Sequence, residues 1–130
     1  MDKKGLVKYW TKTADHDYDT MLALYRSKRY SACLFFGHIV LEKILKALVV
    51  QETGKQTPFT HDLVRLHELA DLKLPEVVVD FLDQVNEFNM RTRYPEYKFD
   101  FYKKCTPQFT KKYYTKITKL YQELCQKIKQ

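Results

Sequence analysis

The densest run of chemistry-bearing side chains is Met90-Arg91-Thr92-Arg93-Tyr94-Pro95-Glu96-Tyr97. Two guanidinium groups separated by one residue can grip phosphate oxygens through paired N–H donors. The neighbouring Tyr94 and Tyr97 offer flat faces on which a base can stack. Arg91, Arg93, Tyr94 and Tyr97 are therefore candidate ligand-binding residues for a nucleotide or an RNA phosphate. A basic loop whose aromatics cover the core would have the same composition.

A second constellation lies upstream. Ser31, His38, Glu42 and Lys46 recur at steps of seven, four and four within an otherwise apolar segment. On a helix they form one stripe. Glu42 and Lys46 make a favourable i,i+4 ion pair with the acid on the N-terminal side. His38 and Glu42 stand one turn apart among apolar neighbours. Buried polar groups need partners, so this stripe implies either a structural network or a polar spot in a ligand cleft.

Other chemistries are missing. With Gly5, Gly37 and Gly54 as its 3 glycines, the chain has no Gly-rich phosphate cradle, no P-loop and no GxSxG. The histidines are His16, His38, His61 and His67, and no HExxH occurs. The acids Glu76, Asp80, Asp83 and Glu87 share one helix face, which reads as a solvated surface or a partner for the Lys-rich last helix. No metal and no cofactor is expected.

The elements that position these residues are helices. Few Gly and Pro with many Leu, Lys and Glu favour a few long helices over many short strands. The spacing predicts a first helix from about Leu6 to Arg26, with Trp10, Ala14, Tyr18, Met21 and Tyr25 on one face. A second runs from about Tyr30 to Gln51, apolar nearly all round, and belongs mid-bundle or at a subunit interface. Gly54 is its stop. Thr60 is the predicted cap of a third helix, with Asp62 in its first turn and Leu63, Leu66, Leu69 and Ala70 inward. Pro75 is predicted to open a fourth, with Val78, Phe81, Leu82, Val85 and Phe88 inward, ended at Tyr94 by Pro95. Residues 91–105 show no clear period. Thr106-Pro107 predicts the cap and first turn of a last helix, reaching about Lys129, with a basic face of Lys112, Lys116 and Lys119. The expected fold is all-α: an up-and-down bundle of about five helices in a single domain over residues 1–130.

Composition sets the outer bounds. The formal net charge is +7, yet residues 61–87 hold seven acids against Arg65 and Lys73, so the flanks carry the basic excess. Such a surface raises encounter rates with nucleic acids and nucleotides without identifying one. Cys33, Cys105 and Cys125 are far apart and odd in number, which disfavours a disulfide framework or zinc site and suggests a reducing, cytoplasmic setting. The longest uncharged run, Tyr30 to Leu41, is shorter than the ~18 residues a membrane span needs. No signal peptide and no membrane association is expected.

From about Tyr9 to Tyr121 the sequence resembles the HEPN domains (higher eukaryote and prokaryote nucleotide-binding). The resemblance rests on Ala14-Asp15-His16-Asp17, Lys28-Arg29-Tyr30-Ser31-Ala32, Glu42-Lys43-Ile44-Leu45-Lys46-Ala47, Thr60-His61-Asp62-Leu63 and Arg93-Tyr94-Pro95, in that order. It implies a helical bundle that commonly forms a homodimer, with polar residues of both subunits lining a cleft. It adds Glu42, Lys46, His61 and Asp62 to the candidate ligand-binding residues. Prokaryotic members are often encoded beside a small nucleotidyltransferase, which implies a partner subunit and a toxin–antitoxin-like module.

Many other members are metal-independent ribonucleases that use an Arg and a His four to six residues apart. No Arg here is followed by a His at that spacing, and the last histidine, His67, precedes Arg91 and Arg93. RNA cleavage needs a proton acceptor and charge stabilisation at phosphate. An arginine supplies the second, but Tyr94 and Tyr97, with reference pKa values of about 10, do not supply the first at neutral pH. The expectation is a non-catalytic nucleotide-binding or accessory domain. The alternatives are a divergent ribonuclease toxin, or a basic RNA-binding bundle that uses Lys112, Lys116 and Lys119.

Overall fold

The second helix organises the molecule because it has no polar face to give to solvent. In the computed structural model, which describes residues 1–129, side chains on every side of it from Cys33 to Val50 are buried. It packs against helices before and after it in the chain. The described residues form six helices and no strand: α1 (Lys3–Arg26), α2 (Tyr30–Thr53), α3 (Leu63–Leu69), α4 (Glu76–Arg93), α5 (Pro95–Lys104) and α6 (Pro107–Cys125). The architecture is an all-α bundle with α2 at its centre.

Local chemistry sets the boundaries. The Asp2 carboxylate accepts from the Gly5 N–H at 2.8 Å and starts α1. Gly54 ends α2 in the left-handed region at φ 71°, its N–H on the Val50 carbonyl. The Thr106 hydroxyl accepts from the Phe109 N–H at 3.2 Å, with Pro107 in the first turn of α6.

Four boundaries differ from the sequence reading. The cap of α3 is Asp62, which accepts from the Val64 and Arg65 N–H groups, while Thr60 takes the Asp62 N–H and sets up that cap. Pro75 is the residue before α4, not its first. Helix α6 stops at Cys125, short of Lys129, because the Gln51 side chain captures the tail. Gln51 donates to the Lys127 carbonyl at 3.0 Å and accepts from the Lys129 N–H at 2.8 Å. The aperiodic stretch after Tyr94 contains a sixth helix, α5, opened by Pro95 itself. Its pattern is weak because Phe101 is the one buried residue of the helix, while Phe99 and Tyr102 face solvent.

Leu41, Ile44, Leu45 and Leu48 of α2 form the core with Leu63, Leu66, Leu82, Ile117 and Leu124. Each such side chain contributes roughly 1.5–3 kcal/mol of burial. Aromatics knit the C-terminal half: Phe88 meets Phe101 at 5.5 Å and Tyr113 edge-on at 5.1 Å. At Gly37 the absent Cβ lets Ile117 approach, since a methyl there would lie 2.7 Å from Ile117 Cδ1.

Candidate functional site

The polar stripe of α2 is buried, and its partners come from other elements. His38, Glu42 and Lys46 are 1%, 7% and 7% exposed. Successive members stand about 6 Å apart along the helix axis. Ser31, the fourth member of the stripe, lies at the start of α2 and joins no bond of this cluster.

Each group of the cluster is answered. Glu42 Oε2 accepts from Lys46 Nζ at 3.0 Å, and Oε1 accepts from His61 Nδ1 at 2.8 Å. His38 Nε2 donates to the His61 carbonyl at 2.9 Å, and its Nδ1 accepts from the Asn89 side-chain amide at 3.4 Å. This bonding suits a neutral imidazole. Burial is the main cause that lowers its pKa below the usual histidine value, and the nearby Glu42 carboxylate only partly opposes it. The loop between α2 and α3 is therefore tied to α2 at two points, one carbonyl and one imidazole.

The cluster is closed on one side and open on the other. His61 keeps about half its side chain exposed, at 49%. Lys46 Nζ lies 5.1 Å from the Trp10 ring centroid, a cation–π contact in a sheltered position. Lys46 also borders a groove of about 260 Å³ lined by Tyr9, Trp10, Thr57, Pro58 and Phe59. Phe59 is fully exposed at its rim. That volume is below the usual drug-sized range, and suits one planar ring system.

Asp62 sits beside the cluster in a structural role. Its carboxylate caps α3 and accepts from the Asn86 amide at 2.9 Å, and Asn86 in turn accepts from the Leu63 N–H.

A family model described as the HEPN domain matches residues 7–130. The chain belongs to the HEPN domain family. No curated protein and no solved structure matches it.

The structure divides the sequence-predicted residues of this HEPN domain into two groups. Glu42, Lys46 and His61 meet in one cluster, with Asp62 at its edge. Arg91, Arg93, Tyr94 and Tyr97 lie at the α4–α5 corner. Helix α4 continues through Arg93, so the two arginines are on a helix and not in a loop where they could converge. Two residues apart, they diverge by about 200° around its axis. Arg93 lies one turn beyond Asn89 on the stripe that reaches His38. Arg91 lies on another side, 3.8 Å from Glu87. Tyr94 and Tyr97 are half exposed, at 52% and 46%.

Asn89, Asn86 and Trp10 are the cluster residues that the sequence reading left out of the site. Asn89 had a signal: it continues the apolar stripe Leu82–Val85 at the next turn, where a hydrophobic residue belongs. The acid-rich opening motif of the family resemblance is structural in part, since Asp17 pairs with Lys43 and Ala14 of α1 is buried in the core. Among the described residues no group of His, Cys, Asp and Glu could hold a metal ion, and no helix is long and apolar enough to cross a membrane.

Proposed function

We propose that this HEPN domain binds a nucleotide along the path from the Trp10 groove to the C-terminal end of α4. One observation carries the reading: a charged cluster is kept inside the bundle and opens onto an aromatic groove through a shared lysine. A purely structural core would do as well or better with apolar side chains there. In this reading the base stacks against Trp10 and Tyr9, and Lys46 faces the ribose or first phosphate. Arg93 receives the terminal phosphate, and Arg91, Tyr94 and Tyr97 shape the corner beyond it. The domain acts as a homodimer and as the accessory subunit of a small nucleotidyltransferase in a toxin–antitoxin-like module, without a catalytic residue of its own.

Calorimetric titration with ATP tests the site. The joint substitution of Arg91 and Arg93 by Ala should weaken binding at least tenfold with the fold intact, and unchanged affinity would sink the phosphate assignment. Affinity capture from extract of the source organism tests the partner. Selective recovery of a nucleotidyltransferase supports the accessory role, and its absence from a capture that retains other proteins argues against it.

A second reading is favoured by the His61–Glu42 pair. Glu42 binds Nδ1 of an imidazole that is half exposed, the arrangement of a base oriented by a carboxylate. That supplies the proton acceptor missing from the α4–α5 corner. His61 would take the 2′-hydroxyl proton of RNA as the 2′-oxygen attacks phosphorus, and the 5′-oxygen would leave protonated from water. Metal-free cleavage of RNA that disappears in His61→Gln would establish this reading, whereas intact RNA under the same conditions would end it.

A further inference from the structure

A wide concavity lies away from the polar cluster, and five of its ten lining residues are lysines. It measures about 990 Å³ and runs between the first three turns of α1, the end of α2 at Gln51, and the tail at Ile128 and Lys129. Lys3, Lys4, Lys8, Lys12 and Lys129 border it, against a single acid, Asp2, whose carboxylate is engaged by the Gly5 N–H. Among the described residues none of these lysines has an acidic partner within ion-pair distance.

The arrangement is ordered by the helix. Lys4, Lys8 and Lys12 recur every four residues, so they stand in a row about 6 Å apart. Lys3, Val7 and Thr11 form the adjacent row. The tail is not loose against them: two hydrogen bonds between the Gln51 side chain and the backbone of Lys127 and Lys129 fix the opposite wall.

We infer that this groove is a binding surface for the phosphodiester backbone of a polynucleotide. A row of cations spread over about two turns matches successive phosphates of a strand better than it matches one small anion. The residue types narrow the mode. There is no arginine for bidentate contacts and no aromatic ring for stacking, so the groove reads charge and not bases. Binding is therefore independent of sequence and accepts single-stranded and duplex RNA alike. The inference does not depend on the nucleotide site proposed above. It also moves the expected RNA surface away from α6, where the Lys112 and Lys116 ammonium groups lie over the rings of Tyr113 and Phe81.

Fluorescence anisotropy of labelled mixed-sequence RNA against the full chain, over a salt series, provides the test. The logarithm of affinity should fall with the logarithm of salt at a slope of about −2 or steeper. Joint Lys4→Glu, Lys8→Glu and Lys12→Glu should weaken binding at least about tenfold, with an unchanged melting temperature. Lys112→Glu, Lys116→Glu and Lys119→Glu make the same change in net charge, and should leave affinity within about threefold. Equal losses from the two triple variants would assign the effect to overall charge and overturn the groove. So would binding to phosphatidylserine vesicles without binding to RNA, or a flat salt response.

Discussion

The α2 cluster and the α4–α5 corner carry similar residue types and have opposite structural standing. In the cluster, His38, Glu42 and Lys46 are spread along two turns of sequence and become neighbours of His61, Asn89 and Trp10 only through packing. In the corner, Arg91, Arg93, Tyr94 and Tyr97 are adjacent in sequence, yet the helix turns them apart and leaves most of them exposed. Density of functional side chains along a chain is thus a poor measure of a formed site. A buried polar group that must find a partner across the fold is a better one.

The contrast is sharpest within α5, between two phenylalanines two residues apart. Phe101 is 1% exposed and Phe99 is 72% exposed. Phe101→Ala should lose about 3–5 kcal/mol in denaturant unfolding, and Phe99→Ala less than about 0.5 kcal/mol. Similar losses would mean that α5 is not seated on the core. Glu42→Ala comes next. It leaves Lys46 buried without its carboxylate, and should cost about 3 kcal/mol or more. A loss below about 1 kcal/mol, the range of exposed ion pairs, would place the cluster in solvent contact.

A smaller effect should appear with pH. The His38 pKa is lowered in the folded protein, mainly by burial. The unfolded chain then binds a proton that the native state refuses, so stability is full above the unfolded value of about 6.5 and declines as pH falls through that value. The slope from this one group is at most about 1.4 kcal/mol per pH unit. His38→Gln can still donate to the His61 carbonyl and should flatten that part of the profile. An unchanged profile would mean that His38 is accessible to protons in the native state. Smallest of all, joint replacement of Arg91 and Arg93 by Ala should alter stability by less than about 0.5 kcal/mol, because Arg93 is exposed and Arg91 makes only a long contact with Glu87.

Much of the fold was legible in the chain. The all-round apolar character of α2 marks it as central, and Gly54, Thr106 and Pro107 set boundaries by rules of backbone chemistry. What escaped depends on contacts distant in sequence. The tail leaves the helix at Cys125 because Gln51, more than seventy residues away, offers competing hydrogen bonds. Helix α5 was hidden because Pro95 ends one helix and begins another, and because only Phe101 reports its buried face. For the site, the i,i+4 spacing revealed the Glu42–Lys46 pair. The His61 contact needed the loop to fold back, and Trp10 reached Lys46 only through the packing of α1 on α2.

Trp10 is the one tryptophan of the chain, so intrinsic fluorescence reports directly on the groove beside Lys46. Titration with ATP should change that emission saturably, and Lys46→Met should weaken the apparent affinity about tenfold while circular dichroism stays helical. Emission that does not respond while calorimetry records ATP binding would place the nucleotide elsewhere on the domain. No binding by either method would contradict the account.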